Sequence, residues 1–490
     1  MKNKNIKCII YFLVLGAGTF SFNLHGTAQS VSQSNQDRII TYPVPSGEQA
    51  STDYSVQING LPVQALSAQV DDRYKAVPHD FGNSYPFIQF DFSGLAGIRI
   101  HAPGRDLSKV IVRPQSKNIN SKIIDENTIV LTLTEPCILS VEPDGRKRPL
   151  LIFANAPEQD VPREGDAGVL YFGPGIHRPE SGVVEVKSNQ TVYLAGGAVL
   201  EGTLRVEEAE NVTIRGRGVL SGNRWEWRQG PGYMIDIVNS KNIRIDGIVV
   251  RGAPRWTIVP TGSENVTVSN VKICNSAVKF NDDGINPVNS RHIIVRDCFI
   301  RTADDCIAIK GKEREWGDVQ DIRVENSILW TDFARVTLMG HESRAERMGD
   351  IVYRNLEIIH HGQLPIFLLE PGEDMRLENV RFESIRINGG RPVSENTKSR
   401  KLLAVIRPNI TKWNRTKNWG RIDGISFKDV TLDGGEAWYS FLIEGAGNSD
   451  DLRIRNISFE NVHVQGELLT AKSRSVILGP WAWGNLVTFY

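Results

Sequence analysis

The segments FNDDGINP (280–287) and TADDCIAIK (302–310) put Asp283 21 and 22 positions ahead of Asp304 and Asp305. A stacked solenoid spends roughly 20–30 residues on each coil, so this spacing sets Asp283 beside the Asp304–Asp305 pair on neighbouring rungs. Adjacent strands lie about 4.8 Å apart, which crowds three carboxyl groups into one patch. Like charges that close repel, and at least one pKa must rise. The crowding burdens folding but suits one reaction: cleavage of a glycosidic bond by a protonated acid facing an ionised base. An isolated Asp-Asp pair is ordinarily a solvated turn; the repeat spacing is what makes this one a candidate site.

The elements that must position these residues are legible as a loose repeat. NVTIRGRGVL from Asn211, NIRIDGIVVRG from Asn242, NVTVSNVKI from Asn265, HIIVRDCFI from His292 and DIRVENSILW from Asp321 share one form, and similar strands follow towards the C-terminus. A polar residue, often Asn or Asp, precedes an alternating Val/Ile strand, then a polar break and a second short strand. The period stays mostly near 23–31 residues, apart from an insertion around 390–420. One coil cannot bury its own apolar face, so stacking is forced. The short strands leave no room for crossover helices, which excludes a TIM barrel or a Rossmann sheet. A right-handed parallel β-helix over 166–490 is the expected solution. NxS/T triplets such as Asn211-Val212-Thr213 and Asn265-Val266-Thr267 match glycosylation acceptors in form. At coil turns, asparagine is better read as bonding to the backbone and to its copy on the next rung.

Residues 29–165 read differently. YSVQINGLPV, PFIQFDF, GIRIHA, KVIVRP, TIVLTLT and LLIFANA alternate apolar and polar residues between Gly, Pro, Asn and Asp turns. This predicts an all-β, antiparallel sandwich, with Pro157–Asp166 as the boundary. Residues 1–28 have the form of a secretory signal: Lys2, Lys4 and Lys7, an apolar run from Cys8 to about Phe22, and Gly26-Thr27-Ala28 for cleavage. No other segment approaches the ~20 apolar residues of a spanning helix. A monomer that is secreted or periplasmic, without a membrane span, is therefore expected. The 490-residue chain balances 57 Lys+Arg against 57 Asp+Glu, so no net field favours nucleic acid or an anionic membrane. Cys137, Cys274, Cys298 and Cys306 have no metal-type spacing. Cys274 and Cys298, 24 apart, are expected to stack as buried apolar side chains rather than to bridge.

At this point the sequence resembles the polygalacturonase-type glycoside hydrolases (family 28-like), within the clan that joins them to the family 49 dextranases. APRWTIVP (253–260) is similar to that family's SPxWxIxP segment, and FNDDGINP to its NTDGID segment, with Asn281 and Asp283 at the matching positions. DCFIRTADDCIAIK (297–310) resembles the paired-aspartate motif, and TLMGHES (337–343) falls where the family carries an IGSE-like segment. The resemblance implies that Asp304 is the general acid, that Asp283 and Asp305 polarise the attacking water, and that cleavage inverts configuration without metal or cofactor. Lys310 resembles a lysine or asparagine near the family's acid. Two departures stand out. Ala334-Arg335 replaces the family's Gly-His-Gly, with His341 following Gly340 instead. LPIFLLEPGED (364–374) lacks the Arg-x-Lys pair that binds a uronate carboxylate and carries Glu370. A neutral sugar in a polysaccharide or oligosaccharide is therefore favoured over galacturonate, and the preceding sandwich resembles the dextranase-type layout.

Arg335, His341, Glu342 and Glu370 could line the same cleft as Asn281 and Lys310, or be ordinary surface side chains. Trp256 and Trp330 could stack on sugar rings, although an aromatic on a coil is more often core. His360-His361 has no partner at metal-ligand spacing. Two other classes share this architecture. A polysaccharide lyase, commonly calcium-dependent, would need a base, and no Arg or Lys is evidently placed as one. A carbohydrate-binding solenoid would leave the carboxylate cluster unexplained.

Overall fold

The computed structural model describes residues 38–48, 50–70, 81–389, 400–435, 437–446, 454–482 and 486–490. The expected signal segment, residues 1–28, lies outside them, as do residues 390–399 of the insertion around 390–420. Among the described residues the ordered elements are strands and two 3-10 turns, Gln115–Lys117 and Arg314–Trp316.

The repeats stack as a right-handed parallel β-helix. One apolar position runs unbroken through the coils in register: Val212, Ile243, Val266, Ile293, Ile322, Ile351, Val380, Ile425 and Ile457. Two residues on, the same ladder becomes aromatic from Tyr353 through Phe382, Phe427 and Phe459 to Phe489, with successive centroids 4.6–5.4 Å apart. The period-2 alternation read from the sequence sends these side chains inward, where nearly all are fully buried.

At the start of three of the long strands, asparagine adopts a positive φ: Asn211 (56°), Asn242 (55°) and Asn265 (55°). Their side chains bond from rung to rung, Asn242 Nδ2 to Asn211 Oδ1 at 3.1 Å and Asn265 Nδ2 to Asn242 Oδ1 at 3.2 Å. Asparagine tolerates the left-handed region better than other residues with a Cβ. The NxS/T triplets thus belong to a structural ladder. The four described cysteines are free and buried. Cys274 and Cys298 do not stack as expected, because the coil between them takes 27 residues, pairing Cys274 with Arg301 instead.

The strands preceding the helix form a two-faced sandwich of ten strands, antiparallel except that Ser84–Ser93 pairs parallel with Leu150–Asn155. One face encloses its own core. The other, with Tyr85, Phe87, Leu151 and Phe153, packs against Val199, Val219, Val249, Phe299 and Trp330 of the β-helix. Polar side chains cross the same seam: Arg217 meets Asp91 at 2.8 Å and Lys272 meets Asn155 at 2.6 Å. His360 Nε2 lies 3.0 Å from both carboxylate oxygens of Glu142 and so serves this seam, whereas His361 Nε2 lies 3.1 Å from the Tyr439 hydroxyl within the β-helix. Trp330 is fully buried there and offers no face to a sugar.

Candidate active site

The acidic segments fall on the third flank of the helix. Strands Ile258–Thr261, Ile307–Ile309, Thr337–Met339 and Phe367–Leu369 follow one another on this flank. The coil between the first two holds no formal strand, because Pro287 cannot donate to the ladder. Its bridges are isolated: Ile285 pairs with Ile258 on one side and Ile307 on the other, and Val288 pairs with Lys310.

That register sets the geometry. Pairing Ile285 with Ile307 stacks Asp283 on Asp305 and Asp282 on Asp304. Gly284 permits the close approach: its N–H donates to Asp305 C=O at 2.9 Å, and a Cβ there would sit 2.5 Å from the Cys306 carbonyl. The three predicted carboxyls are thereby brought to one spot.

Their surroundings differ. Asp283 is buried, its carboxylate accepting from Asn286 Nδ2 at 2.8 Å. Burial, then the charges of Asp304 and Asp305, push its pKa well above the usual carboxylate range. Asp305 is also buried and accepts from Arg335 N–H at 3.0 Å and Nη1 at 3.4 Å. Burial and Asp304 push it up to about 7, against the pull of Arg335 and Lys310. Asp304 is the least buried of the three. Its Oδ2 accepts from Asn281 N–H at 2.8 Å and its Oδ1 from Asp305 N–H at 3.0 Å. Asn281 sits at φ +61°, and its Oδ1 accepts from Arg228 Nη2 at 2.6 Å.

Lys310 is buried one strand away and donates to Glu342 at 2.6 Å. Burial alone would depress its pKa, but Asp283 and Glu342 outweigh that and raise it. Burial works against the Glu342 carboxylate, yet Lys310 holds its pKa below the ordinary value. Because Lys310 favours the ionised forms of Asp283 and Asp305, Lys310→Met is expected to shift the acidic limb of the pH–rate profile upward by about one unit. A limb that stays in place would show that the ammonium does not act on those carboxyls.

His341 and Glu370 form a second group. His341 Nε2 lies 2.8 Å from Glu370 Oε2, while Arg407 Nε donates to Glu370 Oε1 at 2.7 Å and Asn409 Nδ2 to the same oxygen at 3.1 Å. Burial opposes ionisation of Glu370, but His341 and Arg407 bring its pKa below the usual value. The sequence segment around Glu370 has no cation, yet the next coil supplies one. Arg407 is itself held by Glu444 at 2.9 Å. Trp256 is not the bare sugar platform considered from sequence. Tyr233 stacks on it at 5.4 Å, and the ammonium groups of Lys310 and Lys312 lie 4.8 and 4.4 Å from its ring centroid.

Several residues were not singled out from the sequence. Asp282, fully buried, accepts from Ala303 N–H at 3.0 Å and Asp304 N–H at 2.8 Å. Its signal was present, since 22 residues separate it from Asp304 as they separate Asp283 from Asp305. Asn275 and Arg407 carried no such signal. The far part of the insertion folds back over the flank: Arg415 reaches Glu313 at 2.6 Å, and Arg344 donates to the backbone of both Lys312 and Trp413. Among the described residues no group of three or more His, Cys, Asp or Glu side chains is arranged to hold a metal ion, and no helix is long and apolar enough to cross a membrane.

Residues 182–331 match Glycosyl hydrolases family 28. Over 111 residues the chain is 31% identical to a probable polygalacturonase of Vitis vinifera, covering 22% of this chain and 23% of that protein. Over 222 residues it is 24% identical to a probable polygalacturonase of Arabidopsis thaliana, covering 36% and 50% respectively. The chain thus spans between about a quarter and half the length of these curated relatives. Dex49A from Penicillium minioluteum superposes with a TM-score of 0.61 at 15% identity, over 92% of this chain and 96% of that one, a likeness of fold. The matched stretch contains the stacked aspartates; over it the chain is similar to Glycosyl hydrolases family 28, and its fold is that of Dex49A.

Proposed function

We propose that the chain is an exported glycoside hydrolase that cleaves glycosidic bonds of a polysaccharide or its oligosaccharides with inversion of configuration. The observation that carries the reading is the register that stacks Asp283 on Asp305 with Asp304 beside them. In this reading Asp304, the most exposed carboxyl, gives its proton to the departing glycosidic oxygen. Asp283 and Asp305 hold the water that attacks from the opposite face of the sugar. Lys310 and Arg335 keep enough of that pair ionised to act as base, and Asn281 holds the acid through its N–H.

A neutral sugar is favoured beyond this point. Arg407 is shared between Glu370 and Glu444, so it brings no spare positive charge to a uronate. One observation favours an acidic sugar as the second reading. Lys312 lies over Trp256, and among the described residues no carboxylate lies within ion-pair distance of its ammonium.

A panel of pectic, α-glucan and algal glycans, read by reducing-end release and by NMR of the first-formed anomer, decides these points together. New reducing ends of inverted configuration are expected, from neutral glycans before galacturonan. Binding to one glycan without any cleavage would reduce the chain to a carbohydrate-binding solenoid. Products absorbing in the ultraviolet would reveal a lyase.

A further inference from the structure

The N-terminal sandwich touches the β-helix directly behind the acid, through a line of buried polar groups that the proposed chemistry leaves unused. Tyr85, fully buried in strand Ser84–Ser93, donates its hydroxyl to the Asn275 carbonyl at 2.6 Å. The Asn275 side chain donates to the Asp282 carbonyl and to Thr257 Oγ1, each at 2.8 Å. Asp282 in turn accepts from the N–H groups of Ala303 and Asp304. Thr257 N–H donates to the Asp283 carbonyl at 2.9 Å, so the same hub steadies both acidic turns.

A second contact follows the same path. Arg301, three residues before Asp304, is fully buried with its guanidinium 4.1 Å from the Tyr85 ring centroid and 3.9 Å from that of Trp330. Its Nε bonds Asp332 at 2.9 Å, but Nη1 and Nη2 have no hydrogen-bond partner. The two rings therefore fix this end of the side chain by packing. Asn275 N–H closes the loop by donating to Arg301 C=O at 3.1 Å.

We infer that Tyr85 is a positioning residue for Asp304, acting through Asn275 and Asp282, and that the sandwich is a working part of the active site. The inference rests on the hydrolase reading for its kinetic consequence. Each link is buried, so removing one leaves a carbonyl or N–H with no water to replace its partner, and the strain passes to the next link. Gln89 provides the comparison. It donates across the same seam to the Arg217 carbonyl at 2.6 Å, but its path does not lead to the acid.

Full-length Tyr85→Phe, Gln89→Ala, Asp282→Ala and Asp282→Asn test the inference on whichever glycan the wild type cleaves. Tyr85→Phe is expected to lower kcat about tenfold, and Asp282→Ala about a hundredfold, with KM within about twofold. Asp282→Asn keeps a carbonyl acceptor for both N–H groups and should recover most of that loss. Gln89→Ala should leave kcat unchanged. Hydrogen exchange of the peptide spanning Arg301–Cys306 gives a reading independent of turnover: faster in Tyr85→Phe and Asp282→Ala, unchanged in Gln89→Ala. Equal exchange and equal kcat in Tyr85→Phe and Gln89→Ala would overturn the inference, leaving the sandwich as packing alone. So would an Asp282→Asn no better than Asp282→Ala. A wild type that cleaves nothing would sink the hydrolase reading, while the exchange comparison would still decide whether Tyr85 steadies the turn.

Discussion

Asp304→Asn is expected to lower kcat by about 10³- to 10⁴-fold while glycan binding stays near the wild-type level. Asparagine fills the same volume and can still accept one of the two N–H bonds, from Asn281 or Asp305, that hold the carboxylate. It has no acidic proton to give the leaving oxygen. The decisive arm uses leaving group chemistry. An aryl glycoside whose phenol departs without protonation should restore most of the lost rate, because the variant then lacks nothing the reaction needs. Equal loss on activated and natural substrates would assign the acid to another residue.

The second large effect concerns Asp305. Asp305→Asn should cost about 10²- to 10³-fold in kcat and at the same time stabilise the fold at neutral pH. An aspartate in the unfolded chain titrates near 3.9, whereas burial and Asp304 raise Asp305 to about 7 in the fold. Between those values the native state holds a proton that the unfolded chain has released. Its contribution to stability is therefore complete below about pH 4 and is lost as pH rises through about 7. Asparagine does not titrate, so the melting temperature of the variant should match the wild type near pH 4 and exceed it by about 2–4 °C at pH 8. A variant that melts lower at every pH would mean that the bonds from Arg335 outweigh the cost of burial and crowding. The same carboxyls also place the acidic limb of the pH–rate profile above the ordinary carboxylate range, since the base must ionise before it can take up the water's proton.

These two effects share a cause visible in particular residues. The 21- and 22-residue spacing of Asp283, Asp304 and Asp305, read against the coil length, anticipated which side chains would meet. The alternation in NVTIRG or HIIVRD anticipated which faces are buried. Strand Asn120–Asp125 escaped notice because all six of its residues are exposed, so no apolar period marks it. The stacking of Cys274 on Cys298 failed because coil length drifts, and an error of three residues moves the partner to Arg301. Trp256 was weighed as a sugar-stacking face against a core position; Tyr233 and two lysines, all from other coils, contact it.

The sequence by itself determined the repeat, the class of fold and the set of acidic residues, because local alternation and coil-length spacing are properties of the chain order. Only the tertiary structure decided how each carboxyl is tuned and which partners it has. Arg407 reaches Glu370 from the following coil, 37 residues along the chain, and Tyr85 reaches Asn275 from 190 residues away. Hydrogen bonds and charges act over a few ångströms of space, and distance along the chain sets no such limit. Contacts made at irregular coil lengths, and those between sandwich and helix, therefore leave no period in the sequence to read.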